Sequence, residues 1–194
     1  MMQNTDMENG DVPYVSISNK VLFCDRAVVG ASSKTMMISE SSANVANESG
    51  ITTVNMVKRG LRMWGAHMAN YKYASLGNIA AEDRFDVCIR MMAYLLNYLQ
   101  YHHIDEIDQS FTRRDIDAIV NDVQTWLDSL VNDGMLLFAN ISFNNESNSD
   151  ADIANGDFNF DIEVTYAVLA KSITFKLAYT SSGLVTLTTT GGDE

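Results

Sequence analysis

Between residues 84 and 104 the chain reads RFDVCIRMMAYLLNYLQYHHI, and Phe85, Cys88, Met91, Met92, Leu95, Leu96 and Leu99 recur at spacings of three and four. That period predicts a helix with a wide buried face. The segment FTRRDIDAIVNDVQTWLDSLVNDG repeats it with Ile116, Ile119, Val120, Val123, Trp126, Leu127, Leu130 and Val131. Thr112 with Asp115 three residues later forms a capping-box pattern, and Gly134 is placed to end the helix in a left-handed turn. A short acidic link joins the two helices, so they are expected to pack together.

After Gly134 the period becomes two. Leu137, Ala139, Ile141 and Phe143 alternate with more polar neighbours, and after a polar loop Phe158, Phe160, Ile162, Val164, Tyr166 and Val168 do the same. These read as strands with one dry face. Ile173, Phe175, Leu177 and Tyr179 predict a third strand beyond a short turn at Leu169 to Ser172. Earlier in the chain, Ser41 to Glu48 reads as a short helix, followed by strands at Thr52 to Val57 and Leu61 to Ala66. The expected fold class is α+β: two long helices packed on a mainly antiparallel sheet, with extended terminal arms. Residues 1–16 are expected to be an N-terminal arm or leader, 17–180 the core domain, and 181–194 a C-terminal β-arm.

The tail, SSGLVTLTTTGGDE, is a β-branched run bracketed by glycines. Such a strand either closes its own sheet or reaches into a neighbour's, which is the strand-addition mode of recognition.

Composition narrows the function classes. At 194 residues with 46% apolar content, the chain suits one domain with a proper core. The net charge of −12 is unevenly spread: residues 1–104 hold nine acids and nine Lys or Arg, whereas residues 105–194 hold sixteen and four. That asymmetry argues against a nucleic-acid partner, whose phosphates require clustered cations. It suits a partner with a positive face, including another copy of the chain. Two cysteines, Cys24 and Cys88, offer no disulfide framework. The first twenty residues lack the basic start and apolar run of a secretory signal, and no segment approaches the ~20 apolar residues that span a bilayer.

Catalytic and cofactor signatures were sought along the whole chain. His102 and His103 are adjacent and point to different sides of a helix, so one helix does not direct both at a metal ion. Asp150, Asp152, Asn155 and Gly156 are spaced one residue too long for an EF-hand loop and lack its closing acid. A nucleophile elbow, a phosphate-cradling glycine loop and a dinucleotide fingerprint are all missing from the sequence. The expectation is a protein that is not an enzyme and takes no cofactor.

Lys58 and Arg59 precede the stretch GLRMWG, a tryptophan set just before a second glycine. Read in order, Ser18-Asn19-Lys20, Ala43-Asn44 with Asn47, Gly50-Ile51-Thr52-Thr53 and Gly60-Leu61-Arg62-Met63-Trp64-Gly65 resemble the C-terminal part of contractile phage tail sheath proteins. Arg90 falls at the family's arginine in a long helix, Gly134 at the end of the second long helix, and Asn155-Gly156 with Phe158, Phe160 and Ile162 at its Asn-rich loop and long strand. Ile173-Thr174-Phe175 matches the strand that follows. The likeness spans roughly residues 17 to 188. Where the family often follows Trp-Gly with a polar residue, Arg and Thr, this chain has Ala66, His67 and Met68. The family also carries a front half before this region, so the chain is expected to be a cut-down or unusually short sheath.

The resemblance implies a structural subunit of a virion tail, assembled in the host cytoplasm. It would polymerise with copies of itself around the tail tube protein, above a baseplate, and contract to drive the tube through the target envelope. A terminator or baseplate-proximal ring sharing the same domain is the alternative. Leu184, Val185, Thr186, Leu187, Thr188 and Thr189 occupy the place of the family's C-terminal arm, which completes a sheet in a neighbouring subunit. Gly60, Arg62, Trp64, Gly65 and Arg90 are the structural motif, with Trp64 expected to anchor a strand against the two long helices. The charge count adds an expected contact between copies: Lys58, Arg59, Arg62 and Lys72 on one against acids including Asp115, Asp122 and Asp128 on the next.

Overall fold

The computed structural model describes residues 2–24, 38–57, 60–69, 71, 80, 84–144 and 146–181. Helices α1 (Met2–Met7) and α2 (Glu40–Glu48) precede a hairpin of β1 (Thr53–Val57) and β2 (Gly60–Trp64). Helix α3 (Asp86–His102) and a single 3-10 turn at Ile104–Glu106 lead to α4 (Arg113–Asn132). Strand β3 (Leu136–Ser142), a short helix α5 (Asp150–Asn155) and β4 (Asp161–Tyr166) follow. The fold is mixed α+β.

The buried face of α4 consists of Ile116, Val123, Leu127 and Leu130, and that of α3 of Val87, Cys88, Met91 and Leu95. Met91 and Leu95 of α3 and Val123, Leu127 and Leu130 of α4 meet Leu136, Ala139 and Ile141 of β3, with Val12 from the N-terminal segment completing the core. Trp126 of α4 stacks on Tyr98 of α3 at 3.9 Å between ring centroids and 7° between planes, closing the helix pair from the side. Each fully buried aliphatic side chain contributes roughly 1.5–3 kcal/mol, so this one cluster dominates the stability of the domain.

Helix α4 begins with the expected capping box: the Thr112 N–H donates to Asp115 at 2.8 Å. It ends with Gly134 at φ 73°, whose N–H reaches the Val131 carbonyl while the Met135 N–H reaches Leu130. That pair of bonds is the Schellman arrangement, and it turns the chain directly into β3.

Three expectations change. The single mainly antiparallel sheet is instead two separate two-stranded sheets, β1-β2 and β3-β4. In the second, Ala139 faces Val164 and Ile141 faces Ile162. The polar loop before β4 contains a helix, α5, capped by Ser149 and Asp152 and closed by Gly156; six small and acidic residues carry too little apolar pattern to announce it. The third strand expected at Ile173 to Tyr179 pairs with nothing among the described residues. Their side chains face solvent: Ile173 is 72% exposed, Phe175 89%, Leu177 101% and Tyr179 84%. Alternation records which side of a strand is apolar, and leaves open whose sheet supplies the partner.

Candidate functional site

The motif residues converge on one place. Segment 19–22 lies along the outer edge of β2, with Asn19 N–H donating to Met63 O at 2.7 Å, Met63 N–H to Lys20 O at 3.1 Å and Leu22 N–H to Leu61 O at 2.8 Å. The β1-β2 hairpin thereby gains a third extended segment, bridged at Val21 and Arg62. Helix α2 packs over β1, and two of its asparagines face the end of the hairpin. Trp64 Nε1 donates to Asn44 Oδ1 at 3.0 Å. The Asn47 amide, turned so that its nitrogen faces carbonyls, donates to Ile51 O at 2.7 Å and Trp64 O at 2.9 Å. Trp64 therefore ties α2 to the hairpin, a link that the expectation of a brace against the two long helices did not include.

Gly65 completes the junction. Its φ of 123° lies in the left-handed region, its N–H donates to Ser18 Oγ at 3.1 Å, and a Cβ there would overlap the Asn47 amide and stand 3.2 Å from Thr52 Cα. Only glycine combines that backbone angle with so close an approach. Gly60 sits at the hairpin's start, opposite Val57.

Beyond Gly65 the chain departs from the family pattern, and the structure gives His67 a role that sequence reasoning missed. Its Nδ1 lies 2.9 Å from Asn47 O. Its ring stacks on Tyr71 at 3.7 Å and faces Phe85 at 5.4 Å, just ahead of α3. Burial, with a smaller push from Lys171, lowers the pKa of this imidazole below its ordinary value. The signal was the substitution itself: a flat ring directly after Trp-Gly-Ala can stack where a flexible side chain would not. His67, Trp64, Asn44, Asn47 and Leu169 to Ser172 line a groove of about 530 Å³.

Arg62 is engaged within its own chain. Its guanidinium donates to Asn19 O at 2.7 Å and lies 3.3 Å from Asn19 Oδ1, so it ties the 19–22 segment down. Lys58, Arg59 and Lys72 lie outside the described residues, as do Leu184 to Thr189. Arg90, on α3, pairs with Asp6 of α1 and thereby pins the N-terminal helix. One turn earlier, burial raises the Asp86 carboxyl above the usual carboxylate range, with backbone N–H groups and Arg90 acting in the opposite direction.

The acids of α4 divide. Asp115 and Asp122 border a cleft of about 380 Å³ together with Asp105, Glu106 and His103. Asp122 Oδ2 lies 3.3 Å from His102 Nε2. The Asp115 carboxyl, held by the Thr112 hydroxyl and N–H, sits below its ordinary pKa. Asp128 is instead an acceptor for Gln124 Nε2 at 2.8 Å. Among the described residues no group of three or more His, Cys, Asp or Glu side chains is arranged to hold a metal ion.

No protein-family model matches the chain. The tail sheath protein of Burkholderia phage BcepMu is 27% identical over 149 residues, which take in 76% of this chain and 30% of that protein. A chain of the six-fold symmetrised anti-feeding prophage baseplate has the same fold, with a TM-score of 0.73 and 15% identity, over 91% of this chain and 47% of that one. A chain of the PVC sheath complex, an extracellular contractile injection system in its contracted state, aligns with a TM-score of 0.64 and 11% identity over 76% and 42%. The anti-feeding prophage baseplate in its contracted state gives 0.73 and 13% over 91% and 49%. The chain spans less than half the length of each of these relatives. In sequence the chain is similar to a contractile tail sheath protein, and in fold to chains of contractile injection systems.

Proposed function

We propose that the chain is a structural subunit of a contractile tail sheath, polymerising with its own copies around a tail tube and shortening to drive that tube through a target envelope. The observation that carries this reading is the exposed stretch after β4. Ile173, Phe175, Leu177 and Tyr179 present an apolar row to solvent, in a segment that leads toward Leu184 to Thr189. An apolar row spaced for a strand and unpaired among the described residues supports donation to a neighbouring subunit.

Magnitudes favour a reversible link. Burying four such side chains stabilises the complex by about 6 to 12 kcal/mol, against about 7 to 14 kcal/mol for fixing seven residues of backbone. The two nearly cancel, so a donated strand connects subunits without freezing them. Contraction then draws on a difference in packing free energy between two lattice states, on the order of 1 to 3 kcal/mol per subunit, multiplied over the tube. The cleft bordered by Asp115 and Asp122 supplies the acidic side of a second contact, toward Lys58, Arg59 and Lys72 of the next copy. Reversing both sides should restore assembly that reversing one side impairs; a double reversal as poor as either single one removes that contact from the proposal.

Negative-stain microscopy of the purified protein mixed with its tube partner tests the central reading. Long striated sheaths are expected, and truncation after Tyr166 should abolish them while leaving the helical circular dichroism of the core intact. Isolated closed rings from the full chain, or sheaths unaffected by the truncation, would overturn it.

A further inference from the structure

The strand-donation reading leaves open which edge of the β3-β4 sheet accepts a strand, and the structure bears on that point through Gln124. This residue of α4 reaches the backbone of β3 with its amide: Ile141 N–H donates to Gln124 Oε1 at 3.0 Å and Gln124 Nε2 donates to Ala139 O at 3.3 Å. The second Nε2 hydrogen goes to Asp128, which fixes the orientation of the amide and satisfies all of it.

Residues two apart in a strand direct their N–H and C=O to the same edge. The groups of Ala139 and Ile141 that Gln124 engages therefore lie on the edge of β3 away from β4. The Gln124 amide presents an N–H and a C=O on one side, so it occupies Ala139 C=O and Ile141 N–H, two of the backbone groups that an added strand would engage. The opposite edge differs. Ala139 and Ile141 pair across the ladder with Val164 and Ile162, whose own N–H and C=O consequently point outward from β4. Among the described residues no strand pairs with that outer edge. Burial is lopsided in the same sense: Leu136, Ala139 and Ile141 on β3 are fully buried, whereas Ile162, Val164 and Tyr166 on β4 are only half covered.

We propose that Gln124 is an edge guard that closes β3 and makes strand addition one-sided, so that the sheet accepts the 173–179 strand of a second copy along β4 alone. The inference rests on the strand-donation reading for its occupant, and on Gln124 for its direction. Side chains of Ile173, Phe175, Leu177 and Tyr179 would then continue the apolar face begun by Ile162, Val164 and Tyr166. One-sidedness matters in a polymer of identical chains, because a sheet open at both edges can recruit a second, wrongly placed donor.

The test uses the full chain assembled into sheaths, with a benzophenone amino acid in place of Leu177, and crosslinks mapped by mass spectrometry. Wild-type crosslinks should fall on 161–166 of the partner copy, and Gln124→Met should add a set on 136–142. Hydrogen exchange in dispersed subunits gives an independent reading: the Ile141 amide should exchange about fivefold faster in Gln124→Met, the factor that one lost hydrogen bond is worth. Gln124→Glu, which keeps an acceptor for Ile141 and loses the donor to Ala139, should fall between the two and serves if the Met variant folds poorly. Wild-type crosslinks on β3, or an Ile141 amide indifferent to both substitutions, overturn the guard. Intermolecular crosslinks absent altogether, with Ile141 exchange accelerated as expected, would overturn strand donation instead.

Discussion

Replacing Gly65 with alanine gives the sharpest test of the motif cluster, because the added methyl meets two separate obstacles. The backbone at φ 123° is strained for any L side chain, at about 1–3 kcal/mol. The new Cβ would also overlap the Asn47 amide. Thr52 Cα, at 3.2 Å, belongs to the backbone and cannot yield easily, so Asn47 must move. Its donations to Ile51 O and Trp64 O are then lost, at roughly 0.5–1.5 kcal/mol each. The expected cost is about 2–6 kcal/mol in total. Gly134 provides the control: its φ is 73°, and a Cβ there meets nothing within 4 Å, so Gly134→Ala should cost only about 1–2 kcal/mol from conformation. Urea unfolding followed by circular dichroism measures both. A double-mutant cycle with Asn47→Ala separates strain from collision. Once the amide is gone the methyl has room, so the double variant should cost at least about 1 kcal/mol less than the sum of the singles. Equal costs at Gly65 and Gly134, or strict additivity with Asn47→Ala, would refute the reasoning.

Other substitutions probe other links. Leu127→Ala, at a residue with no exposed surface in the centre of the core, should lose about 2–5 kcal/mol in urea unfolding, whereas Leu96→Ala on the exposed side of α3 should stay within about 0.5 kcal/mol of wild type. Trp64→Phe keeps a ring and removes the donor to Asn44, so it should cost at least about 0.5–1.5 kcal/mol, read from the same unfolding curves. His67 makes stability depend on pH: the folded imidazole binds a proton less readily than the unfolded one. Stability is therefore full above the ordinary pKa of about 6.5 and declines as pH falls through the lowered folded value. Thermal midpoints measured from pH 7.5 to 5 should show that decline, and His67→Gln should flatten it in that window.

The parts of the fold that could be read from sequence were those whose partners lie on the same chain. Leu127, Met91 and Ile141 are buried where their periods place them, and Thr112 and Gly134 bound α4 as their chemistry dictates. The motif cluster was legible as a group of residues but not as a geometry. Trp64 offered an aromatic surface and a donor, and nothing in one sequence distinguishes bracing against α3 and α4 from a bond to Asn44 twenty residues earlier. Arg62 was legible as a charge and not as an intrachain bond for a similar reason: a guanidinium beside Lys58 and Arg59 reads as surface charge until Asn19 is seen to accept its hydrogen bond. Gln124 gave no local signal, because a glutamine with an acid at i+4 on a helix usually reads as a solvated polar pair.

The placement of the motif bears on how the subunit proposed above could move and remain connected. Ser18, Asn19, Asn44, Asn47, Arg62, Trp64 and Gly65 are tied to one another by hydrogen bonds, so the cluster forms a cross-braced body. The groove beside it is lined by the same residues and by Leu169 to Ser172, the point where the chain leaves β4 and becomes the exposed arm. An arm bedded on a cross-braced cluster transmits the position of its own subunit to whichever sheet it enters, and loses that register if its bed softens. On this reading Gly65→Ala should do more than destabilise the monomer. In sheaths assembled at a temperature where the variant remains folded, contraction should yield broken or uneven lattices while Gly134→Ala sheaths contract intact. Uniform contraction by both variants, scored by electron microscopy, would separate the motif's role in folding from any role in the lattice.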